Sequence, residues 1–517
     1  MMPFSSPLAD VEIPEVSVPQ LVIGPAAARG DHPALIDGRT GQTLTYAQLA
    51  HMVDRLAAGL AGAGLRPGDV LALFSPNTLL YPVVFHAALA AGATVTTVNA
   101  LATPKDLTTQ LSDSGAKLLV TVSPFLDRAT TAAALVQEIF VCDTAEGYRS
   151  VQELMATSEP APAVELDPAT ALAVLPYSSG TTGVAKGVML THRNLVANIA
   201  QTQQVVKYDP ADRVLAVLPF FHIYGLTVLM NMALSEGATL VVLPRFDLVE
   251  FLTAMADQRV SRAFVAPPIV LALAKHPLVD QYDLSALQVV FSGAAPLDGD
   301  LAQACAARLG CLVQQGYGMT ELSPVSHAQA HGDTRVKPGT VGPLIPNTLA
   351  RVVDVATGDD LGVGEPGELW IKGPQVMQGY LGRRADTDAT VDADGWLHTG
   401  DVGLVDAEGD WFIVDRVKEL IKYKGYQVPP AELEAVLLGH PQIADAAVVA
   451  GHDADGEEIP HAFVAAAPGA DLTAQDVKDY VAERVAPYKR VRAVTFVDAI
   501  PKSASGKILR KDLRAQL

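Results

Sequence analysis

Apolar positions recur along the chain in two rhythms. In TYAQLAHMVDRLAAGLAGAGL, Leu49, Met52, Leu56 and Leu60 fall at helical spacing. Thr45 and Gln48 precede them as a capping box, and Gly62 or Gly64 ends the helix. DVLALFS then reads as a strand, LLYPVVFHAALAAG as a helix closing on Gly92, and TVTTV as another strand. Thr103-Pro104 opens a helix with proline at its first position, and AKLLVTV is a further strand. Strands alternating with helices predict α/β units on a mainly parallel sheet. Residues 1–30 read as irregular and partly extended. Asp69 to Val95 runs strand, helix, GATV, and Asp212 to Val241 runs strand, helix, GATLV. The echo suits two related α/β subdomains, and equally two ordinary βαβ units.

From about residue 335 the rhythm shortens. GTVGPLI, ARVVDVATGDDLG, GELWIKG and DWFIVD are short strands punctuated by glycine and proline, and AEGD at 407–410 is a hairpin turn. After Asp415 a small module follows: KELIKYKG, a helix in PPAELEAVLLGHP, strands in ADAAVVAG and HAFVAAA, and a helix in TAQDVKDYVAERV. The expected fold class is α/β. A large N-terminal domain, 1–415, would hold two α/β subdomains plus a β-barrel-like part, with a small α+β C-terminal domain at 416–517. A chain of 517 residues is long enough for about three units of ~150 residues.

Net charge is −20, which argues against non-specific binding to nucleic acid or anionic lipid. Positive charge concentrates in two places. Arg416, Lys418, Lys422 and Lys424 stand against Glu419 alone, and Lys502, Lys507, Arg510, Lys511 and Arg514 against Asp512 alone. Each suits a polyanionic ligand or a solvated face. Cys142, Cys305 and Cys311 lack CxxC spacing, so neither a disulfide framework nor a zinc site is expected. The N-terminus has no secretory h-region and no apolar run reaches about 18 residues, so no transmembrane helix is expected. The tail RAQL is not a peroxisomal address, leaving a cytoplasmic location as the expectation.

The chemistry centres on YSSGTTGVAKG, Tyr177 to Gly187. Gly180, Gly183 and Gly187 permit sharp bends and close approach. Ser178, Ser179, Thr181 and Thr182 supply hydroxyls, and Lys186 a cation. Between the apolar LAVLP and the helical HRNLVANIA, such a loop suits a strand–loop–helix phosphate cradle, although a Gly/Ser/Thr stretch by itself also suits a linker. It is not a Walker sequence, because Gly187 follows Lys186. FFHIYG places His222 and Tyr224 at a strand end, as a pocket wall or as plain packing. SGAAPL at 292–297 would admit a flat ligand or form a tight turn. In QGYGMTE, Tyr317 suits stacking on a base, Thr320 a phosphate contact, and Glu321 a Mg²⁺ ligand beside substrate phosphates. Asp401 in HTGD suits ribose hydroxyls or a turn.

Together with DRVKELIKYKGYQVPPAELE and PKSASGKILR, these motifs resemble the adenylate-forming superfamily of acyl-CoA synthetases, peptide-synthetase adenylation domains and beetle luciferases. The resemblance covers nearly the whole chain and is nearest to the 4-coumarate–CoA ligase branch. It implies ATP, Mg²⁺ and CoA as cofactor and co-substrates, a small carboxylate as substrate, and no nucleic-acid partner. Ser178, Ser179, Gly180, Thr181, Thr182 and Lys186 would grip phosphates. Ala294, Gln315, Gly316, Tyr317 and Thr320 would hold the adenylate, Asp401 and Arg416 the ribose, and Glu321 the metal. His222, Tyr224, Val228, Gly293, Gly316, Pro324 and Val325 would line the acyl site, with His222 as a gate. The resemblance further implies that a mobile C-terminal domain turns about Lys418. Lys507 would serve adenylation; the opposite face would serve thioester formation, with Lys422 and Gln427 near the adenylate and Arg245, Lys424 and Gly425 on CoA. Plant relatives usually read FHIYS with another serine three residues on, where this chain has Gly225 and Val228. That makes the acyl wall less polar and admits cinnamate-like or medium-chain acyl groups. A fatty acyl-CoA synthetase and a stand-alone enzyme loading a carrier protein are the alternative readings.

Overall fold

The computed structural model describes residues 2–178, 185–332, 337–424, 426–453, 456–503 and 506–517. Among them the large part is built on two eight-stranded sheets and one of five strands. The first eight-stranded sheet runs Gly379–Tyr380, Lys186–Thr191, Leu172–Val174, Thr94–Thr97, Val70–Phe74, Ala116–Thr121, Glu138–Val141, with Tyr177–Ser178 also on Lys186–Thr191. Its strands from Leu172–Val174 onward are parallel. The second has six parallel strands, in the order Leu312–Gly318, Val289–Ser292, Arg262–Val265, Arg213–Ala216, Thr239–Val242, Pro33–Asp37. Antiparallel strands close it at both ends. Continuous apolar runs such as Val70–Phe74 fit strands covered on both faces.

The echo in sequence is matched in space. Val70–Phe74 pairs in parallel with Thr94–Thr97, and Arg213–Ala216 with Thr239–Val242. Thr94 N–H donates to Asp69 O at 2.8 Å, and Thr239 N–H to Asp212 O at 2.9 Å. Gly92 and Gly237 both take the left-handed conformation that ends the intervening helix, with φ of 79° and 88°. The units differ in length: 24 residues lie between Asp69 and Thr94, and 26 between Asp212 and Thr239. The first helix, Leu80–Ala90, is α throughout; the second is π over Tyr224–Asn231 and α only over Met232–Glu236. A π turn takes up extra residues without displacing the rest of a helix. His86 and Asn231, each eight residues before its threonine, are fully buried and face one another. Their polar atoms make no hydrogen bond of ordinary geometry, and burial takes His86 down to about 3.

Two expectations need correction. The N-terminal segment is not wholly irregular: Ser17 and Gln20 form a reciprocal capping box on the helix Val18–Val22, whose Val18 N–H donates to His192 Nδ1. In the helix Tyr46–Gly62, Val53 is buried and Met52 only partly so.

The five-stranded sheet is antiparallel between successive strands, from Phe4–Ser5 through Leu349–Val353, Gly367–Lys372 and Leu397–Val405 to Trp411–Arg416. Its two edges curl together: the Phe4 ring meets Trp411 edge-on at 5.5 Å, which makes the unit barrel-like. Beyond Arg416, Ile421, Val428, Leu433, Leu437, Val448 and Val464 belong to a separate core. That core is covered by a three-stranded sheet and the helices Pro430–Leu438 and Ala474–Ala482. Among the described residues no helix is long and apolar enough to cross a membrane.

Candidate active site

The phosphate-loop motif is not a strand–loop–helix turn. A strand, Lys186–Thr191, intervenes before the helix His192–Val206, and Tyr177–Ser178 folds back on it with Ser178 opposite Lys186. The motif is therefore a hairpin, and Ser179, Gly180, Thr181 and Thr182 lie outside the described residues. Gly187 allows a close approach: a Cβ there would sit 3.1 Å from the Tyr177 ring, whose hydroxyl donates to Asp113 at 2.7 Å. Lys186 Nζ is 3.2 Å from Asp386 and stands 4.9 Å over the Tyr380 ring. The Tyr380 hydroxyl donates to Glu321 Oε1 at 2.9 Å.

Asp401 and Arg416 are directly opposed across an antiparallel pair, and their side chains meet at 3.3 Å. Tyr317 donates to Asp401 Oδ2 at 2.6 Å while its ring packs on His327 at 5.7 Å. Nearby backbone is fixed by Gln315, whose Oε1 accepts Leu297 N–H and whose N–H donates to Gln329. Ala294 holds φ of 73°, a left-handed conformation costing a non-glycine residue roughly 1 kcal/mol. A Cβ on Gly316 would meet His327 O at 2.7 Å. Thr320 opens the short helix Thr320–Leu322.

Of the residues expected at the acyl site, Tyr224 and Val228 lie on the π helix. Gly293 lies under Tyr224, where a Cβ would come within 2.8 Å of the ring, and the Tyr224 hydroxyl donates to Phe291 O. Val228 is buried on the same helix, and Pro324 and Val325 are buried at the strand Val325–Ala328. His222 ends the loop before Tyr224, and its Nδ1 accepts Tyr224 N–H. That loop is held across the repeat by Asn77, which accepts Phe220 N–H and donates to Leu218 O, and by Thr97, which donates to Phe221 O.

The C-terminal part is docked with Lys507 turned toward this cleft. Arg416, Asp401 and Glu321 all act on its charge, and burial together with Arg416 lowers its pKa. His222 is pushed down to about 3, by burial first and then by Lys507. Gly506 makes the approach possible, since a Cβ there would lie 2.9 Å from Ala266 Cβ. Lys275 donates to Leu438 O at 3.4 Å nearby. The other basic cluster stands outside. Lys422, Lys424, Tyr426 and Gln427 are exposed, Tyr426 stacks on Tyr488 at 4.5 Å, and Lys424 holds φ of 49°. Lys422 and Gln427 border a 160 Å³ crevice with Val355, Ala356, Val417 and Leu420. Lys418 is exposed in the turn between the two cores. Arg245 is exposed after Thr239–Val242 and meets neither Lys422 nor Lys424 among the described residues; Gly425 lies outside them.

The family described as AMP-binding enzyme matches residues 25–381, and that described as AMP-binding enzyme C-terminal domain matches 432–507. The chain belongs to the AMP-binding enzyme family. Similar proteins include 4-coumarate–CoA ligase 5 of Oryza sativa subsp. japonica, 44% identical over 99% of this chain and 97% of the relative. The 4-coumarate–CoA ligase of Pinus taeda is 42% identical over 99% and 97%. Among solved structures, ATP-bound MatB from Rhodopseudomonas palustris is 29% identical with a TM-score of 0.87 over 97% of this chain and 99% of its own. In fold alone, the anthranilate CoA ligase AuaEII in complex with anthranoyl-AMP matches with a TM-score of 0.90 over 98% of both chains, at 24% identity.

This AMP-binding enzyme brings together Lys186, Glu321, Asp401, Arg416 and Lys507 from five separate stretches of sequence. Tyr380, Asp386 and Asp113 were not visible as site residues. GYLGRRADT has no apolar periodicity, and its strand, Gly379–Tyr380, is only two residues long. Among the described residues no cluster of three His, Cys, Asp or Glu could cage a metal. Glu321 alone fits Mg²⁺, which takes one or two carboxylates and completes its shell with phosphates and water. Its Oε1 is engaged by Tyr380, and Oε2 has no hydrogen-bond partner among the described residues.

Proposed function

We propose that this AMP-binding enzyme ligates a hydrophobic aryl carboxylate, with 4-coumarate or cinnamate as first candidates, to coenzyme A. A carboxylate oxygen attacks the α-phosphorus of ATP, pyrophosphate leaves, and an acyl-AMP forms. The CoA thiolate then attacks the acyl carbonyl, and AMP leaves with the electron pair of the broken C–O bond. Both steps gather negative charge, so fixed cations and N–H donors carry the catalysis. In the first, Lys507 faces the carboxylate and α-phosphate, Lys186 and the loop 178–186 hold the outer phosphates, and Asp401 with Arg416 holds the ribose. Mg²⁺ at Glu321 would neutralise phosphate charge. His222, kept neutral by burial and Lys507, presents no competing cation to the incoming carboxylate.

The observation carrying this reading is the single-sided docking of the last hundred residues. Lys507 enters the cleft while Lys422, Lys424 and Gln427 stand in solvent. One rigid placement cannot use both faces. We take 1–415 as the stationary body and 416–517 as a cap that turns about Lys418, bringing Lys422 and Gln427 to the acyl-AMP and Lys424, Gly425 and Arg245 to CoA. Relatives of more than 40% identity named as 4-coumarate–CoA ligases support the aryl substrate. The apolar wall at Gly225 and Val228 favours a second reading, a medium-chain aliphatic acid. Pyrophosphate release over a panel of hydroxycinnamates, cinnamate and aliphatic acids, with and without CoA, tests both. CoA consumption without carrier protein, and kcat/KM highest for an aryl acid, are expected. Preference for aliphatic acids would overturn the aryl assignment, and no CoA turnover would overturn the ligase.

A further inference from the structure

Residues 374–381 stitch together the two loops that handle phosphate. Leu381 N–H donates to Gly187 O and Gln378 N–H to Met189 O, fixing the segment to the return strand of the phosphate hairpin. Met377 N–H donates to Glu321 O, and Ser323 Oγ donates to Gln375 O, fixing it to the loop that bears the metal carboxylate. Tyr380 is the side chain that reaches both. Its ring faces the Lys186 ammonium at 4.9 Å, and its hydroxyl donates to Glu321 Oε1 at 2.9 Å. Its own backbone is clamped: Tyr380 pairs with Val188 across the strands, and its N–H donates to Thr387 Oγ1. Both Tyr380 and Glu321 are buried, so the hydroxyl has little water to exchange for. A phenol bonded to one carboxylate oxygen leaves the other free and fixes its direction. A second-sphere hydrogen bond of this kind orients a metal ligand and typically changes affinity by about 10- to 100-fold when lost.

We propose that Tyr380 is a positioning residue that aims Glu321 Oε2 at the magnesium of bound MgATP and holds Lys186 at a set distance from it. The inference rests on the nucleotide reading above. Tyr380→Phe keeps the ring under Lys186 and removes only the hydroxyl; Tyr380→Leu removes both. The test is Mn²⁺ binding by electron paramagnetic resonance titration, with a non-hydrolysable ATP analogue and no carboxylate or CoA. Tyr380→Phe should weaken Mn²⁺ about tenfold while the KM for ATP at saturating Mg²⁺ moves less than about twofold, and Tyr380→Leu should raise that KM as well. Unchanged Mn²⁺ affinity in Tyr380→Phe would overturn the proposal. If thermal melting shows that Tyr380→Phe is misfolded, the converse variant decides: in Glu321→Gln the Mn²⁺ affinity must fall at least as far as tenfold, and a smaller loss overturns the proposal. Failure of the unaltered enzyme to bind Mn²⁺ with the analogue would instead sink the nucleotide reading.

Discussion

Lys507→Ala is the substitution that divides the two half-reactions. Lys507 sits where Asp401 and Glu321 attract its charge and Arg416 repels it, inside a cleft that burial makes poorly screening. Removing one fixed donor aimed at charge developing in a transition state costs about 2.7–4 kcal/mol, or 10²–10³ in rate. The site's other cations, Arg416 and Lys186, are tied to Asp401 at 3.3 Å and Asp386 at 3.2 Å and are not free to substitute. Acyl-AMP formation, followed as single-turnover pyrophosphate release, should therefore fall by at least about 10². Thioester formation from supplied acyl-AMP and CoA should fall less than about threefold if, as proposed, that step uses the opposite face. The pH dependence gives a second reading of the same variant. Burial, then Arg416, holds the Lys507 pKa below the ordinary lysine value. The cation is present below that lowered pKa and is lost as pH rises through it. Adenylation should thus decline on the alkaline side before an ordinary lysine would titrate, and Lys507→Arg should move that limb upward. Equal loss of both half-reactions in Lys507→Ala, or an alkaline limb unchanged by Lys507→Arg, would refute the division of labour.

Three further outcomes are expected. Lys418→Pro, in the exposed turn between the two cores, should slow one half-reaction at least tenfold more than the other in stopped-flow assays, with the melting temperature little changed. Gly293→Ala drives a methyl to within 2.8 Å of the Tyr224 ring, so the KM for the carboxylate should rise while that for ATP holds, in steady-state kinetics. Replacing His86 and Asn231 together by leucine removes four buried polar atoms that make no hydrogen bond of ordinary geometry, so stability should hold or rise in denaturant unfolding.

Most of the α/β framework was readable because each element carries a local signal. Thr45 with Gln48 and Thr103 with Asp106 make reciprocal capping boxes in space, and Gly92 and Gly115 end their helices in the left-handed region. The Asp401–Arg416 ion pair joins two motifs that sequence reading assigned to ribose, brought together by the register of adjacent strands. What stayed hidden was non-local. The strand Lys186–Thr191 has only six residues, begins inside the glycine-rich motif and ends at a helix cap, so its apolar Val188 and Leu190 read as loop. Tyr380 sits in a two-residue strand whose pairing partner lies almost two hundred residues earlier. The helix Val18–Val22 is five residues long and is held by burial and by His192 rather than by its own propensity.

The two matched βαβ units are of unequal length, and the surplus falls only where Tyr224 and Val228 stand. An unwidened helix there would retain the regular 3.6-residue pitch of its counterpart and turn those side chains elsewhere. On the proposed reading of this wall, inserting or deleting single residues between Pro219 and Asn231 should retune substrate choice, while the glycine-alanine-threonine end of the unit stays anchored. Loop-length variants in this stretch offer engineers a coarser control than side-chain swaps, and one that leaves the nucleotide half of the cleft untouched.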